Sequence, residues 1–353
     1  PEAREKLRKL REQPKTYQVG YSSAMERKLA ELTGIEIPKD ETAKAKNIRA
    51  KAQRLLAQQQ AARRKFEKEH PEEKIEDASP LALIRQKIEK DHPGRRAPKT
   101  LSELIPLLPA LDWRDYGVTA AQVKDQEKCN SCWAFSALAA FESSLYFQDA
   151  VTRVTRRIRV KEGGVIALPD GVWAVNFSEQ KLLNCISRQK GDCGGGWHGS
   201  AFSFIVTFGA DYNTDYTARK GVCNGRSGEF KALAWDYVNY PPDKTPSTEQ
   251  LKLALLEHGP LVVLVHVGDA FTGYKGGVFN EHDQGAVNHA VLLTGWDDGK
   301  HAWRIQNSWG EQWGEQGLMW IDRESNNIGQ YAAWIDAPLP FNRETLSTEP
   351  AKR

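Results

Sequence analysis

Cysteine, methionine and long apolar segments are all scarce in this chain. Its 353 residues include only five cysteines and two methionines. The longest apolar runs, at residues 104–111 and 260–267, are far shorter than the ~20 residues that a transmembrane helix needs. We therefore expect no membrane span. Hydrophobic residues at 40% and charged residues at 27% are typical of a globular protein of two or three compact units.

The small net charge of +3 hides two regions of opposite sign. Residues 1–100 hold 25 Lys and Arg against 16 Asp and Glu, a net charge of +9. Residues 101–353 hold 24 against 30, a net charge of −6. Opposite charges in one chain favour an intramolecular contact between the two regions.

The cysteines all lie in the second region, and their number is odd. Cys129 and Cys132 form a single CxxC pair, whereas a zinc site needs a second pair or histidines at short spacing. No βαβ pattern surrounds the pair, which disfavours a thioredoxin-like redox motif. We expect neither a metal nor an organic cofactor, and one cysteine remains as a candidate reactive thiol.

The first 106 residues are predicted to be helical and basic. Residues 40–69 are expected to form one long helix, and residues 81–90 a shorter one whose apolar side chains share a face. Polar, proline-containing linkers follow each helix, at 70–80 and 91–100. This region has too few large apolar residues to bury a core by itself, so we expect it to pack on another part of the molecule.

From residue 107 to 340 the pattern is that of a packed α+β domain. Residues 132–147 are apolar around the whole circumference, which predicts a central buried helix. Residues 151–177 alternate about a turn at 162–164 and predict a β-hairpin. Helices come first (about 118–238) and strands second (239–337), so a helical lobe and a sheet lobe are expected. The 341–353 tail is expected to be disordered.

Cys132 stands at the start of that central helix. Helix N-termini stabilise a thiolate, but a free cysteine taken alone is more often a structural core residue. Its neighbours decide between the two interpretations: Gln126 to Ser136 reads QEKCNSCWAFS. This segment resembles the nucleophile motif C-G-[SA]-C-[WY] of the papain-like cysteine peptidases, with a Gln six residues before the Cys. Asn130 replaces the motif's Gly, and Asn tolerates the left-handed conformation that a Gly there would supply.

Two later segments resemble further motifs of the same family. His289 lies in AVNHAV, similar to V-[DN]-H-A-V, and Asn307 lies in QNSWGEQWG, similar to K-N-S-W-G-x-x-W-G. They follow Cys132 by 157 and 175 residues, slightly beyond the ~130–150 of the family, and the 151–177 hairpin accounts for the excess. The histidines without such a context are His70, His92, His198, His258, His266, His282 and His301.

The resemblance implies a papain-like two-lobe fold and a Cys-His-Asn mechanism. Cys132 would be the nucleophile and His289 its partner in a thiolate–imidazolium pair. Asn307 would accept a hydrogen bond from the His289 ring, and Trp309 would shield that bond from water. The Gln126 side chain and the Cys132 backbone N–H would form the oxyanion hole.

The resemblance also implies two disulfides and a compartment. Family pairing gives Cys129–Cys193 and Cys185–Cys223 and leaves Cys132 free. Two disulfides indicate an oxidising environment, so we expect a secreted, periplasmic or lysosome-like protein, although no signal peptide is visible in the sequence.

The substrate-binding residues come from the same motif alignment. Two glycines would let a peptide lie along the cleft as an extended strand, and an apolar pocket would hold the second residue before the scissile bond. The pocket contains no acidic side chain, which predicts hydrophobic residues there rather than Arg. The residues that the alignment gives are Gly195, Gly196, Trp197, Leu264, Val287, Asn288, Ala290 and Ala333.

The function predicted from these motifs is peptide hydrolysis by an endopeptidase that acts as a monomer. Members of the family commonly carry an N-terminal propeptide that runs through the cleft, so the resemblance implies that residues 1–106 are an inhibitory prosegment, cleaved between roughly Arg95 and Leu107. The alternatives are a helical targeting or interaction arm, and, less favoured because acidic residues are interleaved, a nucleic-acid-binding segment. For the catalytic domain the runner-up is a transferase, since an amine can intercept an acyl-thioester; a binding-only pseudoenzyme is disfavoured because no catalytic position is substituted.

Overall fold

The computed structural model describes residues 2–69, 80–94, 96–119, 123–148, 165–167, 173–212 and 215–338. Within them the chain has the predicted α+β organisation, with helices first and a large sheet after them. The predicted tail at 341–353 lies outside the described residues. No helix in the described part of the chain is long and apolar enough to cross a membrane.

The N-terminal region is helical, as predicted. The two expected helices, α3 and α4 below, are present. The region also contains a helix at its start and two helices of a single turn. The N-terminal helices are α1 (Glu2–Glu12), α2 (Leu29–Leu32), α3 (Glu41–Glu69), α4 (Pro80–Asp91) and α5 (Leu101–Leu104). Ala45 and Ala52 of α3 are fully buried against the remainder of the molecule, which explains why a helix with so few apolar residues is held in place.

The helical lobe is built around one buried helix. This helix, α6 (Cys132–Phe147), is apolar on all sides, and nearly all of its residues are buried. Two further helices pack around it, α7 (Glu179–Cys185) and α8 (His198–Thr207). The Ser178 hydroxyl caps α7 by accepting a hydrogen bond from the Lys181 backbone N–H at 3.1 Å.

Only the second half of the predicted 151–177 hairpin contains described residues. The short strands β3 (Val165–Ala167) and β4 (Trp173–Val175) pair antiparallel, so the connection between them spans residues 168–172. The predicted turn at 162–164 is therefore not compared with the structure, because neither it nor the strand before it belongs to the described residues. Residues 151–164 lie outside the described part of the chain.

An eight-stranded sheet forms the second lobe. Its strands are β2 (Ala110–Asp112), β7 (Ala234–Tyr237), β8 (Leu261–Val265), β10 (Val278–Phe279), β11 (His289–Asp297), β12 (Ala302–Gln306), β13 (Leu318–Asp322) and β14 (Gln330–Asp336). The capping box of Ser247 and Gln250 starts helix α9 (Thr248–His258), which packs against this sheet. The strand order in the sheet is β10-β13-β12-β11-β8-β14-β7, and β2 pairs with the C-terminal part of β11. Within this sheet only β10 and β13 run parallel.

Two further two-stranded sheets and two disulfides complete the description of the fold. In the N-terminal region, β1 (Gln18–Val19) adds to β9 (Tyr274–Gly276) of the sheet lobe. In the helical lobe, β5 (Gly191–Asp192) pairs with β6 (Gly195–Gly196). Disulfides join Cys129 to Cys193 and Cys185 to Cys223, and Cys132 is the free cysteine.

Element ends converge where the two lobes meet. Cys132 is the first residue of α6, and His289 is the first residue of β11, which packs against α6. Asn307 directly follows β12, which pairs with β11. The fold thereby brings His289 and Asn307, which follow Cys132 by 157 and 175 positions in the sequence, close to the start of α6.

Candidate active site

His289 is held by a hydrogen bond to Asn307. The distance from His289 Nε2 to Asn307 Oδ1 is 2.8 Å, and both side chains are buried. The Ser308 backbone N–H donates to the same Oδ1 at 2.8 Å, which identifies this atom as the oxygen. Nε2 must therefore carry the proton, and in the neutral ring Nδ1 is left as the proton acceptor. The Trp309 ring covers the imidazole with ring centroids 4.9 Å apart.

Cys132 is fully buried at the N-terminus of α6. Burial raises the pKa of its thiol to about 11, although backbone N–H groups, those of Ala290 and Gly34 first among them, oppose this. Burial also lowers the pKa of His289 to about 4, against the hydrogen bond to Asn307. Both shifts have the same main cause, because burial disfavours the charged form of each group.

Gln126 has a fixed amide orientation. Its Oε1 accepts a hydrogen bond from the Ser308 hydroxyl at 2.7 Å. Its Nε2 consequently points the other way and donates to the carbonyl oxygens of Cys129 at 3.0 Å and Leu32 at 3.2 Å. Gln126 and Cys132 are both fully buried at this point.

Residues Leu32–Glu36, here called the cleft segment, run between the two lobes. On the helical side, Gly196 N–H donates to Gly34 O at 2.8 Å and Glu36 N–H donates to Gly196 O at 2.9 Å. On the sheet side, Ile35 N–H donates to Asn288 O at 3.2 Å. Ile35 pairs with Gly196 in parallel orientation. The cleft segment is thus bound as an extended strand by main-chain groups of both lobes.

Gly34 lies against the loop that precedes Cys132. A Cβ atom at this position would lie 2.1 Å from the Asn130 carbonyl oxygen, so only glycine fits. In the same loop, the left-handed backbone conformation falls on Glu127 (φ 53°) and not on Asn130, where the sequence suggested it. Asn130 therefore replaces the motif's glycine without a left-handed conformation.

The cleft segment is anchored on both sides by charged side chains. Before it, the Arg27 guanidinium binds both carboxylate oxygens of Asp125 at 2.7 Å each. After it, the Tyr237 hydroxyl donates to Glu41 at 2.5 Å. Arg49 of α3 donates to Asp236 at 3.0 Å and stacks on the Tyr240 ring 3.8 Å from its centroid.

The predicted pocket residues gather in one buried cluster. Trp197, Leu264, Val287, Ala290 and Ala333 all belong to it, and Ile35 packs on the same cluster. Gly195 and Gly196 form β6 beside it, and Asn288 contributes its carbonyl to the cleft segment.

Tyr331 belongs to the same cluster, and sequence reasoning missed it. Its ring lies edge-on to Trp197 with centroids 5.1 Å apart. It has a φ of 50° and lies at an irregularity of β14, where the pairing register with β8 shifts between Gln330 and Ala333. Such irregularities redirect side chains, and here the Tyr331 ring contacts Trp197, one of the predicted lining residues.

No group of three or more His, Cys, Asp or Glu side chains in the described ranges is arranged to hold a metal ion. The histidines set aside in the sequence have other surroundings where they are described. His258, for example, is buried against Asp336, with 2.9 Å between His258 Nδ1 and the carboxylate. His70 lies outside the described residues.

Comparison with known proteins identifies the family. The family model described as papain family cysteine protease matches residues 107–156 and 164–336. Gamete and mating-type specific protein A of Dictyostelium discoideum is 34% identical over 228 residues, which cover 63% of this chain and 44% of that protein. Mouse cathepsin J is 33% identical over 244 residues, 65% of each chain. The chain thus spans about half to two thirds of the length of these curated relatives.

Solved structures extend the likeness to the fold. Bromelain from Ananas comosus, solved with the E64 inhibitor, is 29% identical, with a TM-score of 0.52 over 65% of this chain and 99% of that one. The proform of the ragweed pollen cysteine protease Amb a 11 covers 95% of this chain and 86% of its own, with a TM-score of 0.58. At 19% identity this second likeness shows the fold alone, and it includes the N-terminal region. The chain belongs to the papain family of cysteine proteases.

Proposed function

We propose that this protein is a cysteine endopeptidase that is made as an autoinhibited zymogen. The observation that carries the proposal is the placement of Gln126, Cys132, His289 and Asn307 around a strand of the chain's own N-terminal region. Family membership supports a cysteine-type peptidase hydrolase. The zymogen form, the endopeptidase activity and the residue roles below are the proposal.

The reaction would begin with proton transfer from the Cys132 thiol to Nδ1 of His289, the acceptor that the Asn307 hydrogen bond leaves free. The thiolate then attacks the carbonyl carbon of the scissile peptide bond and forms a C–S bond. The C–N bond breaks as His289 returns the proton to the leaving amine. Water, deprotonated by His289, hydrolyses the thioester and regenerates the thiol.

The oxyanion that forms during each attack needs two donors. The Gln126 amide supplies one through Nε2, whose direction is fixed by the Ser308 hydroxyl on Oε1. The backbone N–H of Cys132 supplies the other. Donors that are already oriented need no reorganisation when the charge develops, which is why they lower the barrier.

Inhibition would follow from what the cleft segment offers these groups. The Leu32 carbonyl occupies the Gln126 donor, and the Gly34 N–H points to the Cys132 sulfur, where a substrate would place a carbonyl carbon. The cleft segment runs parallel to the chain at Gly196, with which Ile35 pairs. The segment therefore fills the cleft without presenting a bond that can be cleaved.

The apolar cluster around Trp197 would hold the second residue before the scissile bond. None of its predicted lining residues is acidic, so we expect a hydrophobic side chain there rather than Arg. The Tyr331 ring packs edge-on against Trp197, and we expect it to limit the size of the accepted side chain, which favours aliphatic over large aromatic residues. A peptide-library profile dominated by Arg at that position would contradict this part of the proposal.

The two disulfides support an oxidising location, which is secreted, periplasmic or lysosome-like. We expect the protein to act on peptides as a monomer.

The test starts from the full-length protein. It is assayed with a peptide library before and after brief treatment at acid pH or with a trace of a second protease, and the new N-terminus is sequenced. We expect hydrolysis only after treatment, with cleavage between roughly Arg95 and Leu107, and none in the Cys132→Ala protein. Activity that survives Cys132→Ala contradicts the mechanism, and product joined to an added amine in place of hydrolysis indicates a transferase.

A further inference from the structure

A small cavity lies directly behind the candidate catalytic residues, between α6 and the sheet. It measures about 20 Å³ and is separate from the cleft that the N-terminal region occupies. This volume accommodates one water molecule, for which roughly 10–15 Å³ is the minimum. Its lining residues include Lys124, Ser136, Glu142, Gln306 and Asn307.

Four of the side chains that line the cavity carry a buried polar atom that has no hydrogen-bond partner among the described residues. These atoms are Ser136 Oγ, Glu142 Oε2, Gln306 Oε1 and Asn307 Nδ2. An unpaired polar atom in the interior is unfavourable, so the concentration of four around one cavity indicates a bound ligand.

The chemistry of the four atoms fits water. Asn307 Nδ2 is a donor, because its Oδ1 already accepts from His289 and Ser308. The Ser136 hydroxyl is a second donor, while Glu142 Oε2 and Gln306 Oε1 are acceptors. Two donors and two acceptors are the full complement that one water molecule satisfies.

The Glu142 carboxylate is held in place from its other side. Its Oε1 accepts from Lys124 Nζ at 3.0 Å and from the Phe177 backbone N–H at 2.7 Å. Lys124 also binds Glu179 at 2.6 Å, so one ammonium group serves two buried carboxylates. Burial raises the pKa of Glu142 to about 7, which makes an additional donor on Oε2 favourable for its ionised form.

We propose that this cavity binds one ordered water molecule that joins Ser136, Glu142 and Gln306 to Nδ2 of Asn307, and that these three side chains are positioning residues for Asn307. The structural half of this inference is independent of the proposed function. The positioning role rests on the proposed function, because in that mechanism Asn307 acts by orienting His289.

The structural test is a crystal structure of the full-length Cys132→Ala protein at a resolution that shows ordered water. We expect one water in the cavity, within about 2.6–3.2 Å of all four atoms. A collapsed cavity in which Glu142 bonds Gln306 or Asn307 directly overturns the proposal, and so does a cavity without density. This result stands even if no peptidase activity is found.

The kinetic test compares two buried serines of α6 in the activated enzyme. Ser136→Ala removes a donor to the water, and we expect kcat to fall about fivefold with KM unchanged. Ser143→Ala is the control, since its hydroxyl bonds only the Ala139 carbonyl of its own helix at 2.7 Å. We expect no loss there.

A pH profile separates positioning from general destabilisation. The Asn307 hydrogen bond raises the pKa of His289, so a less well-held Asn307 should move the alkaline limb of kcat/KM to lower pH in Ser136→Ala and not in Ser143→Ala. Ser136→Thr keeps the hydroxyl and should return the alkaline limb of kcat/KM to the pH of the original enzyme. Equal behaviour of Ser136→Ala and Ser143→Ala overturns the positioning role.

Discussion

The backbone carbonyl of Leu32 accepts a hydrogen bond from the side-chain amide of Gln126 at 3.2 Å. Gln126 is the residue that we expect to stabilise the oxyanion, so a carbonyl from the N-terminal region occupies the position of the reacting oxygen. Most other contacts of the cleft segment also use main-chain groups. Inhibition in our proposal depends on the path of the backbone more than on side chains.

Gly34→Ala should weaken this inhibition. The added Cβ would lie 2.1 Å from the Asn130 carbonyl oxygen, so the cleft segment must move away from Cys132. Overpacking of this kind costs about 1–3 kcal/mol, and we expect the untreated full-length protein to gain about tenfold in peptidase activity. The measurement is initial rate before any activation step.

Gly20→Ala is the matched control for that experiment. Its Cβ would meet only the flexible Lys275 side chain, at 2.7 Å from Cγ, and the chain there lies outside the cleft. We expect its untreated activity to equal that of the original protein. An increase in both variants, or in neither, argues against a specific role for Gly34.

Arg49→Ala should loosen the N-terminal region at its other anchor. Arg49 is bound to the buried Asp236 and stacked on Tyr240, both in the catalytic domain. Since the Arg49 side chain is 39% exposed, we expect a loss of only about 1 kcal/mol, or roughly fivefold faster activation at fixed pH. Arg54→Ala, on the exposed surface of the same helix, should leave the activation rate unchanged.

The proposed catalytic residues could be found from sequence because each is part of a local motif at the end of an element. Cys132 begins α6 and His289 begins β11, so short segments determine where these side chains lie. The long helix α3 was likewise predictable from its composition and periodicity.

The path of the cleft segment could not be read from sequence. Every residue has the N–H and C=O groups that Gly34, Ile35 and Glu36 use, so main-chain binding leaves little trace in side-chain types. Tyr331 was missed for a different reason. The register of β14 shifts next to it, and an alignment of motifs assumes that strand neighbours keep their faces.

Asn307→Ala should lower kcat much more than it raises KM. The variant loses the 2.8 Å hydrogen bond that fixes the Nε2–H tautomer of His289 and so leaves Nδ1 as the proton acceptor. Misorientation of a reacting group costs on the order of a hundredfold, and we expect a loss of that order in the activated enzyme. Asn239→Ala, in a loop between Tyr237 and Pro241, is the control. A KM effect with kcat unchanged would indicate that Asn307 binds substrate instead.

Acid should release the cleft segment through His289. With the segment bound, burial lowers the pKa of His289 to about 4, whereas an open cleft should return it towards the ordinary 6.5. The open state then binds a proton more readily, so the bound state loses stability as pH falls from about 6.5 to about 4. A difference of this size corresponds to roughly 3 kcal/mol at the acid end. Above that window His289 is neutral in both states and contributes no pH dependence.

Hydrogen–deuterium exchange tests this prediction without interference from self-cleavage. Protection factors for residues 29–38, corrected for intrinsic exchange, are measured between pH 4 and pH 8 in the Cys132→Ala protein. We expect them to fall on the acid side of pH 6.5. Glu281, whose pKa is lowered by Lys15 and Tyr17 of the N-terminal region against the opposing effect of burial, should add a further loss near its ordinary pKa and below. In a Cys132→Ala/His289→Gln double variant the loss between pH 6.5 and 4.5 should disappear. If it persists unchanged, the acid sensitivity comes from the carboxylates at the anchors and not from His289.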